Sequence, residues 1–402
     1  MKLRHLADIV TSNVDKKSVD GQTTVRLCNY TDVYNNPRIK PDHEFMTATA
    51  SDKQIRQFAL RAGDVLITKD SETPDDIGVP AYVTTSLPGV LCGYHLAVLR
   101  PRPAIIDGRY LYWAVAAEPT RRQFDASAFG ITRFGLRQDA IANATVPLPN
   151  LTQQRAIADF LDAETDRLDE LIKAKQRMID LLRERLSSAI EALLSSATLE
   201  PVRLRYLCLF IQDGTHQPPE RVPSGYPLLS VRNLVEGEIV MLDDDSMVAE
   251  SDFHQLRRAL SPQQGDVALA IVGATLGKVA VVGDLPPFAL QRSVAILRPD
   301  PNKLNSSYLK LAMQSLGFQA LLWSRVAFSA QPGVYLEEIN NLAIPWAPVD
   351  TQRRLLEDFD AATRERLAAG RLLLRHIDLL HERRQALITA AITGQIPISG
   401  AA

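Results

Sequence analysis

Residues 273–279, which read Gly-Ala-Thr-Leu-Gly-Lys-Val, come closer to a phosphate-binding loop than any other stretch of this sequence. A nucleotide-binding P-loop has four residues between its glycines and a Ser or Thr directly after the Lys. Here three residues separate Gly273 from Gly277, and Val279 follows Lys278. We therefore interpret the stretch as a turn between strands, in which Lys278 could meet a phosphate from outside the chain.

A second candidate for chemistry is the pair Asp213 and His216, which lie close enough in sequence to share a metal ion. A protein zinc site needs at least a third ligand, and none lies nearby. A turn stabilised by Asp213 and Gly214 is the better interpretation. The cysteines have neither CxxC nor Cys/His metal spacing, and their odd number is typical of free buried thiols, so we expect no zinc and no disulfide. They are Cys28, Cys92 and Cys208.

The elements that must position any functional residue are organised around a stretch that occurs twice, at residues 152–195 and 351–393. Each copy follows a Pro and has the apolar spacing of one long amphipathic helix. The four residues Ile-Asp-Leu-Leu at 179–182 recur at 377–380. The repeat predicts two equivalent long helices.

Alignment of the two copies from their first residues places Arg353 opposite Gln154. In this alignment the Asp-Phe pair at 159–160 matches Asp-Phe at 358–359. With this alignment, the match of Ile-Asp-Leu-Leu at 179–182 with 377–380 requires that one residue is missing from the second copy.

The apolar residues of both helices alternate at steps of four and three, which is the seam of a coiled coil. Lys175 and Arg384 are the charged residues within this seam. A narrow seam needs a partner helix, so the favoured interpretation pairs the two helices with each other. The alternative is that each helix packs on its own globular domain, although a wider apolar face would then be expected. The pairing candidates are Leu168, Ile172, Ile179, Leu182, Leu186, Ile377, Leu380 and Leu387.

The segments before the helices also repeat. Short β-rich runs at 23–27, 65–68 and 96–100 are separated by Pro, Gly and Asn/Asp turns, and residues 200–347 have the same character. Gly-Asp-Val at 63–65 corresponds to Gly-Asp-Val at 265–267, whereas the residues between such matches differ almost completely. A shared scaffold with different loops suggests two targets, although loops also vary without any functional reason.

A chain of 402 residues is too long for one ordinary core, so two or more domains are expected. No run of about 18 uninterrupted apolar residues is present to span a membrane. The residues after Met1 lack the apolar core of a signal peptide, which predicts a cytoplasmic protein. The formal net charge of -2 argues against a chain that coats nucleic acid with a large basic surface. It leaves room for a local basic face.

Several motifs, in their order along this doubled chain, carry a resemblance to a known family. They include Pro-x-x-x-Gln-Gln at 149–154 and the turns Gly-Leu-Arg at 135–137 and Gly-Val-Tyr at 333–335. Asp-Gly-Thr-His at 213–216 and Arg-Asn-Leu at 232–234 are further examples. Over essentially its whole length, the chain resembles the specificity subunits of type I DNA restriction-modification enzymes.

The resemblance implies a non-catalytic subunit with two target recognition domains, each reading one part of a split DNA sequence. It also implies that the long helices pair antiparallel as a spacer. The implied partners are double-stranded DNA, methyltransferase (M) subunits and restriction (R) subunits, with no membrane. S-adenosylmethionine, ATP and Mg are expected only on partner subunits. The Asn-Asn-Pro-Arg stretch at 35–38 differs from the Asn/Asp-Pro-Pro-Tyr/Phe motif of an adenine methyltransferase.

The candidate DNA-binding residues are loop side chains that can read bases or hold phosphates. Those of the first half are Lys69, Ser71, Thr132, Arg133 and Arg137. Those of the second half are Thr215, His216, Arg232, Thr275, Lys278, Gln291, Arg292, Gln331 and Tyr335.

The predicted fold class is α+β, with two β-rich domains and an antiparallel coiled coil in an internal pseudo-two-fold repeat. The expected boundaries are 1–150 for the first target recognition domain, 151–198 for the first spacer helix, 199–349 for the second domain and 350–396 for the second helix. The alternative function is a coiled-coil adaptor that binds proteins and has no DNA specificity.

Overall fold

The computed structural model describes residues 1–73, 76–131, 133–196, 199–217, 219–326 and 332–398. The chain forms two compact units. Unit 1 comprises Met1–Gln176 with Arg375–Ala402, and unit 2 comprises Arg177–Leu374. Each unit therefore contains one β-rich segment and a part of both long helices. No helix in the described part of the chain is long and apolar enough to cross a membrane.

The β-rich segment of unit 1 contains short strands and helices. Its strands are Ala7–Thr11 (β1), Thr23–Cys28 (β2), Arg38–Ile39 (β3), Met46–Ala50 (β4), Val65–Thr68 (β5), Asp70–Ser71 (β6), Pro80–Val83 (β7), Val90–Cys92 (β8), Leu96–Pro101 (β9) and Phe134–Gly135 (β10). Its helices are Tyr30–Asn35 (α1), Asp52–Phe58 (α2), Gly108–Ala116 (α3), Glu118–Ser127 (α4) and Gln138–Asn143 (α5).

The main sheet of unit 1 has the strand order β1-β9-β5-β7-β3, and a smaller sheet has the order β4-β2-β8. Successive side chains of a strand point to opposite faces. Val65 and Ile67 of β5 accordingly pack with α3, whereas Leu66 packs with the smaller sheet. The strands predicted at 23–27, 65–68 and 96–100 are confirmed.

The first long helix is Leu151–Ser196 (α6). Unit 2 then repeats the pattern of unit 1. Its strands are Glu200–Arg203 (β11), Cys208–Asp213 (β12), Arg221–Val222 (β13), Tyr226–Leu229 (β14), Leu234–Val235 (β15), Glu238–Ile239 (β16), Met247–Val248 (β17), Val267–Ala270 (β18), Val279–Val281 (β19), Ala289–Leu290 (β20), Val294–Pro299 (β21) and Ala343–Trp346 (β22).

The short helices of unit 2 are Glu250–Ala259 (α7), Ser306–Gln314 (α8), Leu316–Trp323 (α9) and Leu336–Asn341 (α10), and the second long helix is Val349–Ile392 (α11). The main sheet has the order β12-β21-β18-β19-β16-β15, so β18 lies between β21 and β19 as β5 lies between β9 and β7. The α+β class and the repeated architecture predicted from the sequence are confirmed.

The two long helices run antiparallel within unit 1. Arg384 Nε lies 3.2 Å from Asp169 Oδ1, and Lys175 Nζ lies 3.4 Å from His376 Nδ1. A later position on α6 therefore faces an earlier position on α11. The charged residues that interrupt the predicted seam, Lys175 and Arg384, both make polar contacts between the helices.

The helix-pairing candidates are all at least half-buried. Leu168, Ile179 and Ile377 are buried, and the others (Ile172, Leu182, Leu186, Leu380 and Leu387) are half-buried. The carboxyl ends of both helices enter globular cores, since Ile388 joins the main core of unit 1 and Ile190 joins that of unit 2. The helices therefore pack on β-rich segments as well as on each other.

A buried glutamine attaches the start of each long helix to its own β-rich segment. Gln154 Oε1 accepts a hydrogen bond of 2.8 Å from Asp107 N, and its Nε2 donates to Ile105 O and Pro149 O. Gln352 makes the equivalent bonds, since its Oε1 accepts from Asn305 N at 2.8 Å and its Nε2 donates to Lys303 O and Ala347 O. Gln154 and Gln352 are thus structural counterparts.

This pairing corrects the alignment of the two copies. The alignment that placed Arg353 opposite Gln154 was wrong, and Arg353 is exposed. Gln154 and Gln352 are 198 positions apart, as are Ile179 and Ile377, so no residue is missing from the second copy. The Asp-Phe match at 159–160 and 358–359 is a coincidence, because the corrected offset of 198 positions places Asp358 opposite Phe160. It misled because short identical stretches carry no information about burial.

Candidate nucleic-acid interface

In unit 1, backbone hydrogen bonds bring three separate segments together beyond the end of β5. Lys69 N donates to His95 O at 3.0 Å, and Leu136 N donates to Lys69 O at 2.8 Å. Strand β6 also pairs with β10, with Ser71 opposite Phe134. We call residues 69–71, 94–95 and 133–137 edge 1. It assembles the candidates Lys69, Ser71, Arg133 and Arg137, which are well separated in sequence.

The charges of edge 1 meet at Asp70. Its Oδ2 lies 2.7 Å from His95 Nδ1 and 3.5 Å from Lys69 Nζ. Arg133 Nη2 lies 3.4 Å from the same ring nitrogen of His95. Lys69 Nζ also lies 4.5 Å from the ring centre of Tyr94, so a cation–π contact holds the ammonium group. One carboxylate therefore contacts the ammonium group of Lys69 and the ring of His95, and Arg133 lies beside the same ring.

Aromatic rings border the other candidates of edge 1. Arg137 is exposed, and its guanidinium carbon lies 4.6 Å from the ring centre of Phe129. Ser71 is buried next to Tyr30. Burial raises the pKa of the Tyr30 phenol, and the nearby Asp76 carboxylate adds to this rise.

In unit 2 the corresponding segments meet in the same way. Ile271 N donates to Ser293 O at 2.9 Å, and Val334 N donates to Ile271 O at 3.0 Å. Val272 forms a β-bridge with Gly333. We call residues 271–273, 292–293 and 333–335 edge 2. It has the backbone contacts of edge 1 but different side chains.

Four second-half candidates cluster where β12 ends beside edge 2. Thr215 forms a β-bridge with Gln291, and Arg292 N donates to Thr215 O at 3.0 Å. His216 Nε2 lies 2.7 Å from Asp213 Oδ2. Gly214 permits the segment after β12 to approach the backbone of Leu290 closely, because a Cβ at position 214 would lie 2.2 Å from Leu290 O. Asp213 and His216 are thus a pair of contacting side chains in the segment that follows β12.

Thr275 and Lys278 belong to the loop between the antiparallel strands β18 and β19. Ala270 N donates to Lys278 O at 2.8 Å and closes this loop, so it connects two strands of a hairpin. A P-loop instead connects a strand to a helix. Gly273 N donates to Pro332 O, which places the base of the loop beside the segment that carries the exposed Tyr335.

The remaining candidates are Arg232, Thr132 and Gln331. The Arg232 guanidinium is bound by Asp244 at 2.8 Å and Asp245 at 2.9 Å, so its charge is balanced within unit 2. Its hydrogen bond lowers the pKa of Asp244. Thr132 and Gln331 lie outside the described residues.

Asp70, Tyr94 and His95 of edge 1 were not predicted from the sequence, and neither was Phe129, whose ring contacts Arg137. The repeat could have identified Tyr94, because it lies 198 positions before Arg292 and both residues lie shortly before the last strand of the main sheet. Asp70 and His95 carried no comparable pattern, since their pairing depends on the approach of two strands.

The described residues contain no group of three or more His, Cys, Asp or Glu side chains placed to hold a metal ion. The cysteines are free thiols. Cys28 and Cys92 are opposite each other on the neighbouring parallel strands β2 and β8. Burial raises the pKa of both thiols and raises that of Cys208 to about 12. These thiols are consequently poor nucleophiles and poor metal ligands at neutral pH.

Comparison with known proteins gives a consistent assignment. Residues 1–180 match the family described as the type I restriction modification DNA specificity domain. The type I restriction enzyme EcoBI specificity subunit of Escherichia coli is 22% identical over 260 residues, which are 58% of this chain and 54% of that protein. The matched region spans about half the length of this relative.

Solved structures extend the comparison over the whole chain. One, from work on complex assembly and conformational transition of a type I restriction-modification system, has a TM-score of 0.63 and 18% identity and covers 98% of this chain and 97% of its own. The HsdS subunit of Thermoanaerobacter tengcongensis has a TM-score of 0.43 and 18% identity, covering 98% and 96%. The first of these shares the fold. The resemblance predicted from the sequence is confirmed.

Proposed function

We propose that this chain, whose residues 1–180 belong to the family of type I restriction modification DNA specificity domains, reads a two-part DNA sequence for a restriction-modification complex. The observation that carries the proposal is the pair of edges. Edges 1 and 2 have the same backbone contacts and different side chains, as expected for two readers of two different half-sites. Residues 1–150 and 199–349 are the proposed target recognition domains.

The side chains of the edges suit the major groove. Arg133 and Arg292 are exposed, and a guanidinium can donate two hydrogen bonds to guanine O6 and N7. Lys278 is exposed and suits a phosphate contact, which positions a protein on DNA without reading sequence. Local cationic groups of this kind can bind DNA although the chain as a whole has a net charge of -2.

The long helices, at residues 151–198 and 350–396, are proposed to serve as the spacer. A continuous helix of 46 residues is about 69 Å long at about 1.5 Å per residue. Readers on one face of a duplex must lie about 34 to 36 Å apart, or a multiple of that distance. Helix length is thus proposed to set the gap between the half-sites.

Both long helices also expose apolar side chains that lie outside the seam between them. The exposed residues are Leu171, Met178 and Leu181 on α6 and Leu367, Leu372 and Leu379 on α11. Exposed apolar side chains mark protein-binding surfaces where they form a contiguous patch. We propose that they dock methyltransferase subunits, with restriction subunits joining the complex. The chain itself is proposed to be non-catalytic, with S-adenosylmethionine, ATP and Mg bound by the partners.

The same exposed leucines favour the alternative function, a coiled-coil adaptor without DNA specificity. Selection of binding sites from random-sequence duplexes, with and without methyltransferase subunits, separates the two functions. A specificity subunit is expected to select two defined half-sites at a fixed spacing. An adaptor is expected to bind the methyltransferase subunits and select no sequence.

Exchange of one domain tests whether each domain reads its own half-site. Replacement of residues 199–349 by the same region of a relative should change one half-site and leave the other unchanged, because each domain is proposed to contact its own segment of the groove. Replacement of residues 1–150 is the matched control and should change the other half-site. If either exchange altered both half-sites, the two domains would read DNA jointly.

A further inference from the structure

The histidine of edge 1 is held in one orientation by its neighbours. Asp70 Oδ2 lies 2.7 Å from His95 Nδ1. The ring of Tyr94 packs edge-on against His95, with centroids 4.9 Å apart. Lys69 contacts both Asp70 and Tyr94 and completes the cluster. The side chain of His95 is 26% exposed, so part of the ring is accessible from outside.

The hydrogen-bond partner of His95 determines where its proton lies. An ionised carboxylate only accepts hydrogen bonds, so Nδ1 must carry the hydrogen that Asp70 receives. In a neutral imidazole the other nitrogen, Nε2, is then a bare acceptor. Within the described part of the chain, Nε2 has no hydrogen-bond partner, because the contacts of His95 are made by Nδ1.

The same reasoning excludes a hydrogen bond between Arg133 and His95 Nδ1. Its Nη2 lies 3.4 Å from His95 Nδ1, but two donors cannot bond to each other. The exposed guanidinium is therefore available to a ligand beside the ring. When His95 is neutral, edge 1 offers an acceptor, Nε2, next to the donor fork of Arg133, and the cationic Lys69 and Arg133 outnumber the single carboxylate of Asp70.

In the major groove, the donors that an acceptor can read are the exocyclic amines, N6 of adenine and N4 of cytosine. We propose that His95 is a base-reading residue whose Nε2 accepts a hydrogen bond from such an amine, with Asp70 as the positioning residue that fixes the tautomer. This inference rests on the proposed function and names one contact within the first half-site.

Base analogues test the contact directly. In the selected first half-site, each adenine is replaced in turn by purine, which lacks the 6-amino group, and each cytosine by 2-pyrimidinone, which lacks the 4-amino group. Binding of the full-length wild-type chain with its methyltransferase subunits should fall about 5- to 150-fold at one position, because removal of the amine leaves the acceptor of His95 without its partner. The identity of that position distinguishes adenine from cytosine.

The same duplexes are then measured with variants. His95→Ala should bind the unmodified site as weakly as wild type binds the sensitive analogue, and should lose nothing further on that analogue. His95→Gln, whose amide oxygen can accept a hydrogen bond, should recover part of the discrimination. Asp70→Asn should bind more weakly than wild type at this position only, because the amide no longer fixes the proton on Nδ1. His5→Ala, an exposed histidine outside edge 1, should behave as wild type.

The outcomes separate the two levels of the proposal. If wild type and His95→Ala respond equally to every analogue, or if no analogue weakens wild type, His95 does not read an amine, while sequence-selected binding still supports the proposed function. If no half-site is selected at all, the proposed function fails and this inference fails with it. Circular dichroism of His95→Ala should match wild type, since the ring lies at the surface of unit 1.

Discussion

The scaffolds of the two units are alike, and their edges are not. Arg100 Nη2 lies 2.8 Å from Asp64 Oδ2 in unit 1, and Arg298 Nη2 lies 2.8 Å from Asp266 Oδ2 in unit 2. At the edges, by contrast, Asp70 of unit 1 corresponds to the apolar Val272 of unit 2. The units therefore preserve the contacts that hold the sheet and vary those that face outward.

The difference shows how one fold carries two surfaces. The edges are joined by backbone hydrogen bonds, such as Lys69 N to His95 O and Ile271 N to Ser293 O. These bonds place no demand on side-chain chemistry, so the side chains of an edge can change without loss of the fold. The buried ion pairs and glutamines have specific partners and cannot change in this way.

The largest effect on stability is expected at the shared ion pairs. Asp64→Ala and Asp266→Ala should each cost about 3 kcal/mol, because each leaves an arginine without its buried partner. Denaturant unfolding of the two variants measures this, and the costs should be similar. Asp8→Ala, which removes an exposed ion pair with Arg102, is the matched control and should cost about 0 to 1 kcal/mol. A much smaller cost at Asp266 than at Asp64 would show that the scaffolds are not equivalent.

An intermediate effect is expected at the glutamines that begin the long helices. Gln154→Ala and Gln352→Ala should each cost about 2 kcal/mol, since each leaves a backbone N–H and two carbonyls without their partner. Arg353→Ala is the control and should stay within about 0.5 kcal/mol of wild type. Equal costs at 352 and 353 in thermal unfolding would contradict the corrected alignment of the copies.

The smallest effect on stability is expected at the edges themselves. Arg133→Ala and Arg292→Ala should each change the free energy of unfolding by less than about 0.5 kcal/mol, because both side chains are exposed. Each should nevertheless weaken DNA binding. A base reader loses preference at one position, and a phosphate holder weakens all sequences evenly and lowers the salt slope by about one.

Titration of duplexes at several salt concentrations distinguishes these roles. Arg133→Ala should affect only the half-site read by unit 1, and Arg292→Ala only the other. Lys53→Ala, an exposed cation outside edge 1, is the control and should leave selectivity unchanged. Loss of stability without any change in DNA binding would assign these arginines to the scaffold.

Much of the local structure could be predicted from the sequence. Strand β5 followed from a short apolar run after Gly-Asp, and α6 and α11 followed from an apolar period sustained over many turns. The pairing of the helices also followed, since a narrow seam needs a partner, whereas their antiparallel direction was implied by the family resemblance. Four of the edge 1 candidates were identified by residue type, but the carboxylate that organises them was not.

The sequence by itself determined the doubled architecture, the long helices and the absence of a P-loop pattern around Lys278, because periodicity and spacing are local properties. Only the tertiary structure decided that Ile388, near the end of the chain, completes the core of unit 1, and that Asp70 binds His95. Such contacts join residues that are distant in sequence, and their partners are chosen by packing and strand approach. The same cause explains the misaligned helix copies: identical letters suggested one register, and the buried hydrogen bonds of Gln154 and Gln352 fixed another.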